Sequence, residues 1–155
     1  MKYFDARELV DPDTFAKYGI QAFDLFDLEL LRTLTALREH YGYSMIINNW
    51  SMGGSYRYRG YRPAGCGVGS ETGAHYKGKA VDVDFYQSKK LVPAATMVAN
   101  ILRDRAMFPA ICGLETGVNW NHIDTMSEQD SPRRQCVKDG KIILFNATGT
   151  EVKIV

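Results

Sequence analysis

The clearest periodic pattern in the chain lies in residues 24–41, where leucines and other apolar residues recur every three or four positions. This spacing places them on one side of an α-helix, so the segment is predicted to be a helix with one buried stripe. Asp24 or Asp27 can cap its beginning, and Gly42 can end it. A second helix is predicted for residues 93–105, where proline occupies the favoured first turn of another apolar stripe.

Alternating or short apolar runs predict strands in the rest of the chain. Residues 79–86 alternate cleanly, with one face predicted to join the core and the other to carry acid. The core face holds Val81, Val83 and Phe85, and the other face holds Ala80, Asp82 and Asp84. Further strands are predicted at residues 43–48, 110–116, 119–125, 141–145 and 151–155, the last two joined by a turn at 146–149. This order predicts a single α+β domain over residues 1–155, with a mostly antiparallel sheet covered by two main helices.

Residues 53–78 are predicted to form a long loop, because they contain eight of the chain's 14 glycines. A loop of this length inside a compact domain is usually functional or disordered. Its tyrosines and arginines favour a surface that contacts a ligand. The alternative is a mobile insertion whose tyrosines cover the core.

The composition narrows the class of protein. The chain has 155 residues, the size of one ordinary domain, and a formal net charge of +1. Without excess positive charge, it is not expected to bind nucleic acid. It contains no run of roughly 18 apolar residues that could span a membrane, and Asp5 and Glu8 interrupt any signal-peptide core. We expect a monomer that is synthesised in the cytoplasm, and its three cysteines, an odd number, argue against a disulfide framework.

Three residues form a candidate metal site: His75, Asp82 and His122. Neutral imidazole and carboxylate are good zinc ligands, and catalytic zinc sites use three protein ligands and leave a fourth position for water. Asp82 and His122 would meet if their two strands lie side by side. On the residues alone, a lone histidine is more often an ordinary surface or core side chain than a metal ligand. Asp84 and Asp124, on the same strand faces, could support a ligand imidazole through hydrogen bonds.

The segment HYKGKAVD resembles a known family. It reproduces, at His75, Gly78, Ala80 and Asp82, the HxxGxAxD motif of the LAS-type zinc peptidases. This group includes D-Ala-D-Ala carboxypeptidases and dipeptidases, phage endolysins of the M15 class and the Hedgehog signalling domain. WNHID is similar to the family's second ligand segment, and RGYRP to its SGYRS segment, so the resemblance covers roughly residues 9–126.

The resemblance implies a Hedgehog/DD-peptidase-like fold and a Zn²⁺ ion held by His75, Asp82 and His122. It also implies that Arg62 faces the substrate, and the nearby Arg59 is a second candidate for binding the carboxylates of a peptidoglycan stem peptide. Many members of the family carry a catalytic glutamate three residues before the last histidine. Here that position is Asn119.

A peptidase of this kind needs a carboxylate that takes a proton from the attacking water. Glu115 is one candidate, seven residues before His122, and Asp124 is the other. We favour Glu115, because an acid on the ligand strand more naturally supports the ligand. The alternative for Glu115 is an exposed acid at the end of a strand.

Two functions therefore remain open. The first is a zinc-dependent peptidase that cleaves peptidoglycan stem peptides, at L-Ala-D-Glu or D-Ala-type bonds, in a bacterium or a bacteriophage. Without an export signal, such an enzyme would need a separate release route to the cell wall or delivery in a virion. The second is a zinc-binding or structural module of the same fold that has lost catalysis, which Asn119 favours.

Overall fold

The computed structural model describes residues 1–127, 130, 142–146, 148 and 150–155. These residues form an α+β arrangement, as the sequence predicts, with helices packed against a mixed sheet. None of the helices in the described ranges is long and apolar enough to cross a membrane.

The described residues contain three α-helices: α1 (Pro12–Tyr18), α2 (Leu28–Tyr41) and α3 (Ala94–Arg103). The predictions for α2 and α3 are confirmed within a few residues at each end. Asp27, rather than Asp24, caps α2 by accepting hydrogen bonds from the N–H groups of Glu29 and Leu30. The expectation of two helices omitted α1, which is only seven residues long and is capped by Asp11.

The described residues contain seven short strands, of which six follow the predicted order and the one at Lys90–Leu91 was not predicted. They are β1 (Ser44–Ile46), β2 (Ala80–Gln87), β3 (Lys90–Leu91), β4 (Gly113–Glu115), β5 (Asn121–Asp124), β6 (Ile143–Phe145) and β7 (Glu151–Ile154). Six of them lie in the order β1-β2-β5-β4-β6-β7, and β3 pairs with β2. The predicted strand at 141–145 and the turn at 146–149 lie partly outside the described residues.

The sheet is mostly antiparallel, as predicted, but it contains one parallel pair and is therefore mixed. Strands β4 and β6 run parallel to each other, whereas the other recorded pairings are antiparallel. A parallel neighbour was not anticipated, because the alternation of side chains within a strand carries no information about its partner's direction. This pairing places the end of β6 beside the end of β4.

Strand β2 pairs with β1, β3 and β5, and its two faces lie in different environments. Val81, Val83 and Phe85 are fully buried in the core, with apolar residues of α2 and α3. The opposite face carries Asp82 and Asp84, as predicted, but these carboxylates are buried as well. The acidic face of β2 is therefore covered by other parts of the protein and does not face solvent.

The loop at residues 53–78 contains no helix or strand, in agreement with the prediction. It packs closely against the rest of the protein. The backbone carbonyl of Arg59 accepts a hydrogen bond from Asp82 at 2.7 Å, and the N–H of Tyr61 donates to the carbonyl of Leu9 at 2.9 Å. A Cβ atom at Gly60 would overlap that same carbonyl oxygen. The central part of the loop is thus fixed between β2 and the N-terminal segment.

Gly78 provides a test of this packing. Its φ is +65°, and a Cβ atom there would overlap the carbonyl oxygen of Leu25. We expect Gly78→Ala to lower the free energy of unfolding by at least about 3 kcal/mol, because it adds a backbone clash to an unfavourable conformation. Chemical denaturation of the metal-free protein measures this change.

Gly42 is a matched control, because its φ is +66° and a Cβ atom there would meet open space. Gly42→Ala is expected to cost about 1 kcal/mol, the price of the left-handed conformation alone. Equal losses for the two variants would refute the role assigned to the close approach at Gly78.

Candidate metal centre

The pairing of β2 with β5 brings two of the predicted ligands together. Asp82 is directly opposite His122 in this antiparallel pair, as the sequence analysis anticipated. Asp82 Oδ1 lies 2.8 Å from His122 Nδ1 and 3.2 Å from His75 Nε2. The two imidazole nitrogens are 3.2 Å apart. The three side chains thus converge on one point, although His75 comes from the loop.

These three residues could hold a metal ion. All three are buried, and their ligand atoms lie within 4.8 Å of one another. In a tetrahedral site with metal–ligand distances of about 2.0 Å, ligand atoms lie about 3.3 Å apart. The observed separations of 2.8–3.2 Å would need to widen by only about 0.5 Å or less. The donor set and its spacing therefore fit a small divalent cation.

Each of the three side chains also makes a polar contact with a neighbouring group that fixes its orientation. His75 Nδ1 lies 2.8 Å from the carbonyl oxygen of Gly60, so the N–H on this nitrogen leaves Nε2 free to coordinate. His122 Nε2 is 3.4 Å from Asp124 Oδ2. Asp82 Oδ2 accepts a hydrogen bond from Arg62 Nη2 at 2.7 Å, which directs Oδ1 towards the two histidines. Asp124 thus occupies the supporting position expected for it.

Arg59 and Asp84 pair with each other. The guanidinium of Arg59 donates to Asp84 Oδ2 at 2.7 Å and lies over the ring of Tyr56 at 3.6 Å from its centre. Asp84, which was expected to support a ligand imidazole, is therefore engaged by an arginine. Arg59, which was a candidate for binding substrate, does not line the metal cavity.

A cavity of about 260 Å³ opens in front of the three candidate metal ligands. Its wall is formed by Arg62, His75, Asp82, Glu115, Trp120, His122, Phe145 and Asn146. The described cysteines, Cys66 and Cys112, do not belong to this wall, and Cys136 lies outside the described residues.

No protein-family model matches the chain, and no curated protein or solved structure shows significant similarity to it. The chemistry of the cavity and the motif resemblance are thus the grounds for a functional proposal.

Glu115 is the carboxylate of the cavity wall that does not belong to the metal triad. Its exposed fraction is only 8%, so it is buried and not an exposed acid at the end of a strand. Its Oε2 accepts a hydrogen bond from the indole N–H of Trp120 at 3.1 Å. Burial raises the pKa of Glu115 above its usual value and outweighs the opposing charge of His122, while the charge of Asp82 adds to the rise. A carboxyl group in this position can accept a proton and return it during a reaction.

Asp124 has a different environment. It is fully buried, it is absent from the cavity wall, and it accepts a hydrogen bond from the backbone N–H of Met126 at 3.1 Å. Asn119, at the position of the family's glutamate, is exposed. Of the three positions, Glu115 is the one that faces the cavity.

Three contributors to the site were not predicted from the sequence. Phe145 packs its ring edge-to-face against His122, with ring centres 5.2 Å apart, and Asn146 lines the cavity. Both lie at the end of β6, and no local pattern indicated that this strand would join β4. The third is the carbonyl of Gly60, a backbone group that residue types cannot reveal.

The protonation of the triad follows from burial and pairing. Burial lowers the pKa of His75, so this imidazole is neutral at pH 7. Burial alone would also lower the pKa of His122, but hydrogen bonds to Asp124 and Asp82 outweigh it and raise the pKa of His122 to about 9. Despite its burial, Asp82 is ionised, because the protonated His122 at 2.8 Å keeps its pKa well below the usual range.

Metal binding is therefore expected to release one proton. At pH 7.5, the metal-free protein carries a proton on His122 Nδ1, and a metal ion must displace it. The apparent affinity for Zn²⁺ should rise about tenfold per pH unit from pH 7 to pH 9 and then level off. The raised pKa also stabilises the metal-free fold below about pH 6.5, and this contribution is lost as the pH rises through 9.

Calorimetric titration with Zn²⁺ in buffers of different ionisation enthalpy counts the released protons. His40→Gln is the matched control, since His40 lies outside the cavity and pairs with Asp104. This variant should release the same number of protons as the wild type. An affinity that does not change between pH 7 and pH 9 would contradict the assigned state of His122.

Proposed function

We propose that this protein is a zinc-dependent peptidase that cleaves the stem peptides of peptidoglycan. The observation that carries the proposal is the presence of Glu115 in the cavity onto which the ligand atoms of His75, Asp82 and His122 converge. Three ligands with a separate buried carboxylate are the groups that metal-assisted hydrolysis requires. The resemblance of HYKGKAVD and WNHID to the LAS-type peptidases supplies the substrate class.

The residues of the cavity have separate roles in the proposed reaction. A Zn²⁺ ion held by His75, Asp82 and His122 would supply Lewis-acid activation of a water molecule and of the peptide carbonyl. Glu115 takes a proton from the attacking water and delivers it to the leaving amine. The hydrogen bond from Trp120 holds the Glu115 carboxyl group in position.

Arg62 is the proposed anchor for an anionic group of the substrate. Its Nε donates to the carbonyl of Tyr58 at 2.7 Å and its Nη2 to Asp82, so the guanidinium is rigidly placed in the cavity wall. The remaining N–H groups can form a charge-assisted pair with a carboxylate. Stem peptides carry such carboxylates on D-Glu and at the terminus. Because Arg62 lines the cavity and Arg59 does not, we assign this contact to Arg62.

Digestion of purified peptidoglycan tests the proposal. The zinc-loaded protein is incubated with muropeptides released by a muramidase, and the products are identified by mass spectrometry. We expect new amino and carboxyl termini at one type of bond in the stem peptide, and the masses identify that bond. Intact muropeptides after prolonged incubation with fully zinc-loaded protein would refute the peptidase.

The second candidate function is a binding module of the same fold without catalysis. The observation that favours it is the exposed Asn119 at the position where the family carries its glutamate. A module of this kind would bind muropeptides and leave them intact. The digestion, combined with a binding measurement on the same sample, separates the two functions.

A further inference from the structure

Asn146 lies in the cavity wall directly after β6, and its side chain is held in one orientation. Its carbonyl oxygen Oδ1 accepts three hydrogen bonds. The backbone N–H and the hydroxyl of Thr148 donate to it at 3.1 and 2.7 Å, and the backbone N–H of Thr150 donates at 3.0 Å. Because a backbone N–H can only donate, these contacts also establish which end of the amide is oxygen.

The position of Asn146 relative to the site is fixed by the neighbouring strands. Phe145 pairs with Glu115 across the parallel β4–β6 ladder, and its ring packs against His122. The backbone N–H of Asn146 donates to the carbonyl of Thr150 at 3.0 Å. Hydrogen bonds thus fix both the backbone and the side chain of Asn146, which directly follows Phe145, the residue paired with Glu115.

The amide nitrogen of Asn146 is the end that remains for a ligand. In the described part of the chain, Nδ2 makes no recorded hydrogen bond, whereas Oδ1 is saturated by the turn. The indole N–H of Trp120 is already used by Glu115, and Arg62 is partly used by Asp82 and Tyr58. Asn146 therefore contributes a neutral, oriented N–H donor to a wall that also contains two carboxylates.

We infer that Asn146 Nδ2 donates a hydrogen bond to a carbonyl or carboxylate oxygen of the peptide that binds in this cavity. Asn146 is then a substrate-binding residue, and the inference rests on the proposed function for the identity of that peptide. The physical reason is that a bound peptide displaces the water around Nδ2, and a donor that loses water without gaining an acceptor is costly. An extended peptide offers an oxygen acceptor at every residue.

Two substitutions remove the donor in different ways. Asn146→Asp keeps an oxygen for the turn but adds a charge, and Asn146→Ser adds no charge but holds the turn less firmly. We expect each to lower kcat/KM on muropeptides about tenfold, the effect of losing one hydrogen bond in a desolvated site. Thr148→Ala is the matched control, because it removes one contact to Oδ1 and leaves Nδ2 unchanged. It should keep kcat/KM within about twofold.

A binding measurement separates this inference from the proposed function. The zinc-loaded Glu115→Gln protein, in which turnover is suppressed, is titrated with muramidase-released muropeptides in a calorimeter. Adding Asn146→Ser to this background should raise the dissociation constant about tenfold, whereas adding Thr148→Ala should not.

Each outcome decides a specific point. Cleavage by the wild type, with unchanged kinetics and binding in both Asn146 variants, would overturn the inference and leave the peptidase standing. Binding without cleavage, weakened by Asn146→Ser, would support the inference and refute the peptidase. The absence of any muropeptide binding to the Glu115→Gln protein would overturn the inference.

Discussion

The protein with His75 replaced by alanine is expected to bind Zn²⁺ more than 100-fold more weakly than the wild type and to lose all peptidase activity. His75 supplies one of three ligand atoms, and losing a ligand should exceed the 10–100-fold cost of losing a residue that only supports one. In the wild type, Zn²⁺ at 100 times its dissociation constant should stabilise the fold by about 2.7 kcal/mol. For a domain of this size, that corresponds to a rise in Tm of about 5–10 °C.

Three measurements check this expectation: the metal content of the purified protein, the Tm with and without Zn²⁺, and muropeptide cleavage. His75→Ala should show neither the metal nor the zinc-dependent rise in Tm, whereas His40→Gln should show both. Because His75 is buried, its replacement is also expected to weaken the fold. Chelation of the metal from the wild type therefore provides a second test of metal dependence. Removal of the metal should abolish cleavage, and added Zn²⁺ should restore it. Full activity after complete metal removal would rule out a metal-dependent mechanism.

The candidate ligand set could be predicted because it depends on local spacing and on one strand pairing. The alternation in residues 79–86 places Asp82 on the face opposite the core, and the same reasoning applies to His122. Pairing two strands by their polar faces then brings both side chains together, as the Asp82–His122 register confirms. The α+β class follows from the same periodicities. Each of these inferences needs only side-chain direction along one element.

The rest of the site depends on contacts between distant segments. The parallel β4–β6 pairing brings Phe145 and Asn146 to the metal cavity, and it joins strands that are separated by nearly 30 residues. The support of His75 comes from the carbonyl of Gly60, which is itself positioned by contact with Leu9. The partner of Asp84 proved to be Arg59, because the loop lies over β2. Residue types and spacing carry none of this information.

Replacement of Glu115 by glutamine is expected to lower kcat by a factor of about 10²–10⁴, the usual contribution of a general base. Zinc binding should stay within a few-fold of the wild type, because Glu115 is not a ligand. The side-chain carbonyl of glutamine can still accept the hydrogen bond from Trp120, so its position in the cavity should be kept. The wild-type kcat/KM should fall on the acid side at a pH above the usual carboxylate range, because the pKa of Glu115 is raised. This acid-side fall in kcat/KM should be absent from the residual activity of Glu115→Gln.

Asp124→Asn distinguishes the two candidate bases. Asp124 contacts His122 Nε2 from behind and does not line the cavity. Its replacement should therefore weaken zinc binding about 10–100-fold but leave kcat close to the wild-type value once zinc is saturating. Glu71→Gln, at an exposed glutamate of the glycine-rich loop, should change neither quantity. If kcat at saturating zinc instead collapses in Asp124→Asn and survives in Glu115→Gln, then Asp124 is the base. The steady-state rate measured as a function of zinc concentration for all three variants decides between them, since it separates the loss of metal from the loss of the proton acceptor.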